Sequence, residues 1–105
     1  MDLQLKGSKA LITGATKGIG RAIADTLADE GCHVAICARN QDEVDAAVAE
    51  LSAKGVTAFG QAFDVGDGDA FKAWIDASAA ALGGIDCIVS NVSGGGAKGE
   101  DAWRR

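Results

Sequence analysis

Apolar residues along this chain come in short continuous runs, separated by longer stretches where they recur every three or four positions. The first run, Lys9–Thr13 (KALIT), leads directly into the glycine-rich residues 14–20. Over residues 19–30 the apolar positions Ile19, Ile23, Leu27 and Ala28 share one face of a helix. Gly31 predicts the end of that helix, because glycine tolerates the left-handed backbone that follows a helix terminus. His33–Ala38 (HVAICA) reads as a second strand. Asn40 is placed to cap the next helix, with Glu43 at the reciprocal position of a capping box. That helix carries Val44, Ala47, Val48 and Leu51 on one face and stops at Gly55. Residues 56–63 predict a third strand, with Asp64 at its end. A third helix over about residues 67–82 carries Phe71, Trp74, Ile75 and Ala79 as an apolar stripe, read as core rather than as a stacking platform. Gly83 and Gly84 close it, and residues 85–91 (IDCIVSN) predict a fourth strand.

The order is βαβαβαβ, and the strands are apolar throughout rather than alternating. Strands buried on both faces belong to a parallel sheet with helices on each side. Right-handed crossovers then favour the strand order 3-2-1-4. The expected fold class is therefore α/β, a Rossmann-like three-layer half-fold. Residues 1–92 form its single (βα)3β unit, and residues 93–105 form a glycine-rich tail expected to be flexible.

Composition narrows the function classes. A chain of 105 residues has room for one compact domain. Nearly half of it is apolar (48%), yet no run approaches the roughly 18 residues needed to cross a bilayer. No basic start leads into an apolar stretch, so a cytoplasmic chain is expected, without membrane partners. The formal charge of -5, with its basic residues scattered, offers no cationic stripe for phosphates, so nucleic acid is not an expected partner. Cys32, Cys37 and Cys87 stand singly in apolar surroundings, and His33 is the sole histidine. That spacing excludes a structural zinc site and reads as three small buried hydrophobes in a reducing compartment.

The chemistry-bearing feature is Gly14-x-x-x-Gly18-x-Gly20, lying directly between a strand and a helix. Gly14 permits a tight turn, Gly18 admits a pyrophosphate close to backbone, and Gly20 lets the helix pack on the strand. The helix mouth then offers unpaired N–H groups and about half a positive charge to an anion. A tight βα turn with no ligand is the alternative. A P-loop is a poor alternative, because Lys17 precedes a glycine and no Gly-Lys-Ser/Thr follows.

Thr13-Gly14-Ala15-Thr16-Lys17-Gly18-Ile19-Gly20 resembles the Thr-Gly-x-x-x-Gly-x-Gly signature of the short-chain dehydrogenase/reductase family. Asp64-Val65 is similar to the family's adenine-contacting Asp-Val pair. Ser90-Asn91-Val92-Ser93-Gly94 corresponds to its Asn-Asn-Ala-Gly motif, with Asn91 the outright match and Val92 and Ser93 the departures. The resemblance covers essentially the whole chain but only the first half of a typical member. It implies a nicotinamide dinucleotide held by Gly14, Thr16, Lys17, Gly18, Ile19, Gly20, Asp64, Val65, Asn91 and Ser93. Asp64 has the alternative of capping the following turn, and Asn91 that of bridging strand backbone.

The end of the second strand bears on which dinucleotide. NAD-binding relatives place an acid there for the ribose 2′-hydroxyl, whereas this chain has Ala38, Arg39 and Asn40. A guanidinium binds a 2′-phosphate through paired, charge-assisted hydrogen bonds, and Lys17 is placed to reach the same phosphate. The expected cofactor is NADP(H) in preference to NAD(H). In the family, a tyrosine, a lysine four residues later and a serine perform the proton chemistry; this chain contains no tyrosine. It is therefore expected to be inactive by itself, as the cofactor-binding portion of an oxidoreductase. A non-catalytic nucleotide-binding or assembly module is the alternative. An unpaired fourth strand invites association, so a homo-oligomer or a complementary C-terminal half is expected as partner.

Overall fold

The computed structural model describes residues 6–91. The elements are β1 (Lys9–Thr13), α1 (Gly18–Asp29), β2 (His33–Ala38), α2 (Gln41–Ser52), β3 (Ala58–Ala62), α3 (Gly68–Leu82) and β4 (Cys87–Val89). All strand pairs are parallel, and the sheet order is β3-β2-β1-β4. The expected α/β half-fold and its strand order are thus what the chain adopts. Ala10 aligns with Val34 and Cys87, Leu11 with Ala35 and Ile88, and Ile12 with Ile36 and Val89.

This register distributes the side chains between two cores, since successive strand residues point to opposite faces. Ala10, Ile12, Val34 and Ile36 meet Ala24 and Ala28 of α1 and Ala47 and Leu51 of α2. Leu11, Ala35 and Cys37 meet Trp74 and Leu82 of α3 on the other face. Trp74 is fully buried and its indole N–H donates to the Ile36 carbonyl at 3.0 Å. Its ring also packs against Phe63 and Phe71, with centroids 5.9 and 5.8 Å away. The stripe containing Phe71 and Trp74 is therefore core.

Only the two central strands are buried on both faces; β3 is half-buried and β4 largely exposed. Both edge strands are also shorter than the apolar pattern suggests. Among the described residues β4 pairs only with β1, and it is tied in at its start by Asp86, whose N–H donates to the Lys9 carbonyl at 2.7 Å. The Asp86 carboxylate accepts the Lys9 N–H in return at 2.8 Å. Cys87, expected to be buried, is exposed on this edge, while Cys32 and Cys37 are buried.

The helices begin and end where side-chain chemistry permits. Asn40 Oδ1 accepts the Glu43 N–H at 3.0 Å, and Asp67 Oδ1 accepts the Ala70 N–H at 3.1 Å. Gly83 ends α3 in the left-handed region, φ 84°. The core face of α1 differs from the one its larger residues suggest. Gly20, Ala24 and Ala28 lie underneath, Ile23 and Leu27 flank them, and Ile19 is 74% exposed. α1 sits so close to the end of β1 that only very small residues fit between them. A Cβ on Gly20 would run into the Gly14 carbonyl oxygen.

Candidate functional site at the carboxyl edge of the sheet

In an open parallel sheet, ligands bind outside the carboxyl ends of the strands where the strand order reverses. Here that point is the crevice between β1 and β4: the chain leaves β1 toward β2 and β3, then returns to β4 on the other side. Gly14 turns the chain out of β1 at φ 62°, donating its N–H to the Cys37 carbonyl at 2.9 Å.

The three glycines of the loop serve two different purposes. Gly14 and Gly20 are packing residues. A Cβ on Gly14 would strike the Asn91 carbonyl oxygen, and one on Gly20 would lie 2.5 Å from Asn91 Nδ2. Gly18 has φ 67°, and a Cβ there would meet no heavy atom within 4 Å. Its backbone faces open space at the mouth of α1.

The mouth of α1 differs from those of the other two helices. Its N-cap residue, Lys17, makes no side-chain capping bond, and its first turn contains no acid. α2 and α3 are capped by Asn40 and Asp67 and carry Asp42, Glu43 and Asp69 in their first turns. The partial positive charge of α1 is thus left without a neutralising group from its own first turn. Lys17 adds a full charge beside it, with its side chain 82% exposed. The donors and the open backbone at Gly18 suit a diphosphate.

Asn91 is wired into the strand ends. Its N–H donates to the Thr13 hydroxyl at 2.7 Å, and its Nδ2 donates to the Gly14 carbonyl at 3.3 Å. Thr13 is buried, so this bond replaces a ladder bond beyond the end of β4. The bridging role foreseen for Asn91 is present, and Thr13, seen in the sequence only as part of the signature, is its partner. The signal was available in the apolar run, where a single hydroxyl ends five residues of strand.

Asp64 Oδ1 accepts the Gly66 N–H at 2.9 Å, which makes it the cap of its turn. The same carboxylate stands 3.8 Å from the Arg39 guanidinium, with both side chains largely exposed. Val65 packs against the α3-side core. Asn40 is engaged as the cap of α2. The reciprocal half of the expected capping box is not what the Glu43 side chain provides. It crosses to the glycine loop instead, accepting the Thr16 hydroxyl at 3.2 Å and lying 3.9 Å from Lys17 Nζ. Ser93 lies outside the described residues.

Beneath the loop, burial pushes the Cys37 thiol up to about 11, partly offset by the Gly14 N–H. This thiol stays protonated and poorly nucleophilic at neutral pH. Among the described residues no group of His, Cys, Asp and Glu is arranged to hold a metal ion. His33 lies at the opposite end of β2, where its Nδ1 accepts the Thr57 N–H at 2.9 Å. No helix among the described residues is long and apolar enough to cross a membrane.

A parallel 3-2-1-4 sheet with a glycine turn and an open helix mouth at its switch point defines a Rossmann-type nucleotide-binding protein. The family model for short chain dehydrogenases matches residues 8–103, and the chain belongs to that family of oxidoreductases. It is 43% identical over 83 residues to the 3-oxoacyl-[acyl-carrier-protein] reductase FabG of Staphylococcus aureus, covering 78% of this chain and 34% of the reductase. It is 40% identical over 89 residues to dehydrogenase/reductase SDR family member 4 of Oryctolagus cuniculus, covering 85% of this chain and 34% of the relative. Among solved structures it is similar to L-sorbose reductase from Gluconobacter frateurii complexed with NADPH and L-sorbose. That likeness has TM-score 0.84 and 36% identity, over 89% of this chain and 36% of the other. It is also similar to NAD+-bound xylitol dehydrogenase, with TM-score 0.76 and 33% identity, over 81% of this chain and 33% of the other. The chain therefore spans about a third of the length of the relatives it matches.

Proposed function

We propose that residues 1–92 are the NADP(H)-binding unit of a short-chain dehydrogenase/reductase acting on a carbonyl/alcohol pair. The observation that carries this reading is the mouth of α1, uncapped and with no acid in its own first turn, with the open backbone of Gly18 in front of it. The amides of that turn hold the diphosphate, and Gly18 admits it. Arg39 and Lys17 receive the extra phosphate on the adenosine ribose, while Asp64, Val65 and Asn91 border the nucleoside. When bound, the nicotinamide supplies a hydride. The two structural neighbours carry NADPH and NAD+ respectively. The preference for NADP(H) accordingly rests on this chain's own Arg39 and on the lack of an acid at the end of β2.

The experiment is a titration of NADPH fluorescence, with NADH alongside. Arg39→Ala is expected to weaken NADPH by about tenfold, the worth of one charge-assisted hydrogen bond, and to leave NADH within twofold. Equal binding of the two coenzymes by the unsubstituted chain would remove the role given to Arg39.

A second reading is a non-catalytic nucleotide-binding or assembly module on the same half-fold, which the exposed β4 edge favours. Carbonyl reduction needs a proton donor aimed at the developing alkoxide, and its loss costs about 10²–10⁴ in rate. Steady NADPH oxidation with a panel of carbonyl compounds would favour the enzyme, and its absence the module. The exposed edge at Cys87 and Ile88 supports a partner, either a second copy or a complementary C-terminal half. So does the apolar surface of α1 formed by Ile19, Ala22, Ile23, Thr26 and Leu27. A stable monomer in sedimentation at tens of micromolar would count against such a partner. A cytoplasmic setting suits the thiol state of all three cysteines.

A further inference from the structure

We infer that Glu43 sets the coenzyme selectivity of this site, by holding a carboxylate on the groups that would otherwise receive the ribose phosphate. The inference rests on the dinucleotide-binding reading above and concerns a residue to which that reading gives no part. Glu43 is the third residue of α2, and the cap of that helix uses its amide, bonded to Asn40 Oδ1 at 3.0 Å. Its carboxylate is therefore not needed by the cap and reaches across to the glycine loop. There it accepts the Thr16 hydroxyl at 3.2 Å and stands 3.9 Å from Lys17 Nζ. One side chain thus ties the loop after β1 to the start of α2, which directly follows Arg39.

The second cation of the site is also partnered, since Arg39 lies 3.8 Å from Asp64. The two acids differ in how they are held. Asp64 is fixed in its own turn through the Gly66 N–H. Among the described residues the Glu43 carboxylate is held by the Thr16 hydroxyl and the Lys17 ammonium that it screens, so its effect depends on what approaches them. A ribose 2′-phosphate, carrying nearly two negative charges, must displace this carboxylate from Lys17 and Thr16 or tolerate it nearby. A ribose 2′-hydroxyl can donate to a carboxylate and meets no such repulsion. Glu43 therefore does from the first turn of α2 what an acid at the end of β2 does in NAD-binding relatives, and it opposes Arg39.

The test is the ratio of NADPH to NADH affinity, measured by fluorescence titration of the whole chain, for Glu43→Gln against the unsubstituted protein. An exposed pair at this spacing is worth about two- to fivefold in binding. NADPH is expected to tighten by that factor in Glu43→Gln, while NADH stays within twofold. The gain should shrink as salt is raised from about 0.05 to 0.5 M, because the opposed charges are exposed. Asp76→Asn, the same charge change on α3 across the sheet, is the control for net charge and should leave the ratio alone. Lys17→Met should move the ratio in the opposite direction, and circular dichroism melts verify that each variant is folded. An unchanged ratio in Glu43→Gln, or the same shift in Asp76→Asn, overturns the inference while leaving the dinucleotide-binding reading intact. Failure of the unsubstituted chain to bind either coenzyme overturns that reading, and the inference falls with it.

Discussion

Substituting Gly20 by alanine sets helix propensity against close packing, and the two forces predict opposite signs. Gly20 is buried in the first turn of α1. Glycine inside a helix is about 1 kcal/mol worse than alanine, so local propensity alone has Gly20→Ala stabilise the protein. Packing says otherwise. The new Cβ would overlap the Gly14 carbonyl oxygen and lie 2.5 Å from Asn91 Nδ2. Backbone on the β1 side cannot yield as a flexible side chain would, so α1 must withdraw. Overpacking of this kind costs about 1–3 kcal/mol. Withdrawal also strains the bond from Asn91 Nδ2 to the Gly14 carbonyl, worth about 1 kcal/mol. After crediting the propensity gain, the net expectation is a loss of about 1–3 kcal/mol. For a domain of this size that lowers Tm by roughly 5–20 °C. Urea unfolding followed by circular dichroism measures it, with Gly18→Ala as comparison. Gly18 has open space around it, so alanine there carries only the left-handed backbone penalty of about 1–2 kcal/mol. A Gly20→Ala variant as stable as the parent, or more so, would refute the assignment of Gly20 to packing.

Two further outcomes follow from buried polar groups. Ser78 is fully buried on the sheet-facing side of α3, and its hydroxyl has no hydrogen-bond partner among the described residues; Ser78→Ala is expected to stabilise by about 1 kcal/mol, and a fall in Tm would contradict this. Cys37 titrates at about 11 in the fold because burial penalises its thiolate, against an ordinary value of 9.0. Below pH 9 both folded and unfolded chains carry the thiol; between about pH 9 and 11 only the unfolded chain ionises it. Stability should therefore decline through that window by up to about 1.4 kcal/mol per pH unit from this residue. Urea midpoints at several pH values, compared with Cys37→Ala, test this; an equally steep decline in the variant would assign it to other groups.

Much of this architecture follows from local rules that need no knowledge of the fold. Apolar runs bounded by glycine mark the strands, Asn40 and Asp67 accept amides three residues on, and Gly83 supplies the left-handed terminus. Parallel pairing and right-handed connection then leave few strand orders. The glycine loop and Arg39 were legible as residue types in sequence order. Their working relations were not, because those depend on how near one element comes to another. Whether Gly14, Gly18 and Gly20 face a ligand or a neighbouring backbone turns on the spacing between α1, β1 and the residue after β4. The same spacing turns Ile19 outward, against its helical periodicity. The Glu43 carboxylate lies on Lys17, from which it is separated by the whole of α1 and β2. The Asn91 amide finds the Thr13 hydroxyl across 78 positions of sequence. Local sequence selects backbone conformations within a turn or two. Contacts across the sheet exist only once packing has brought distant residues within hydrogen-bonding reach, and they decide which loop groups remain open to an anion.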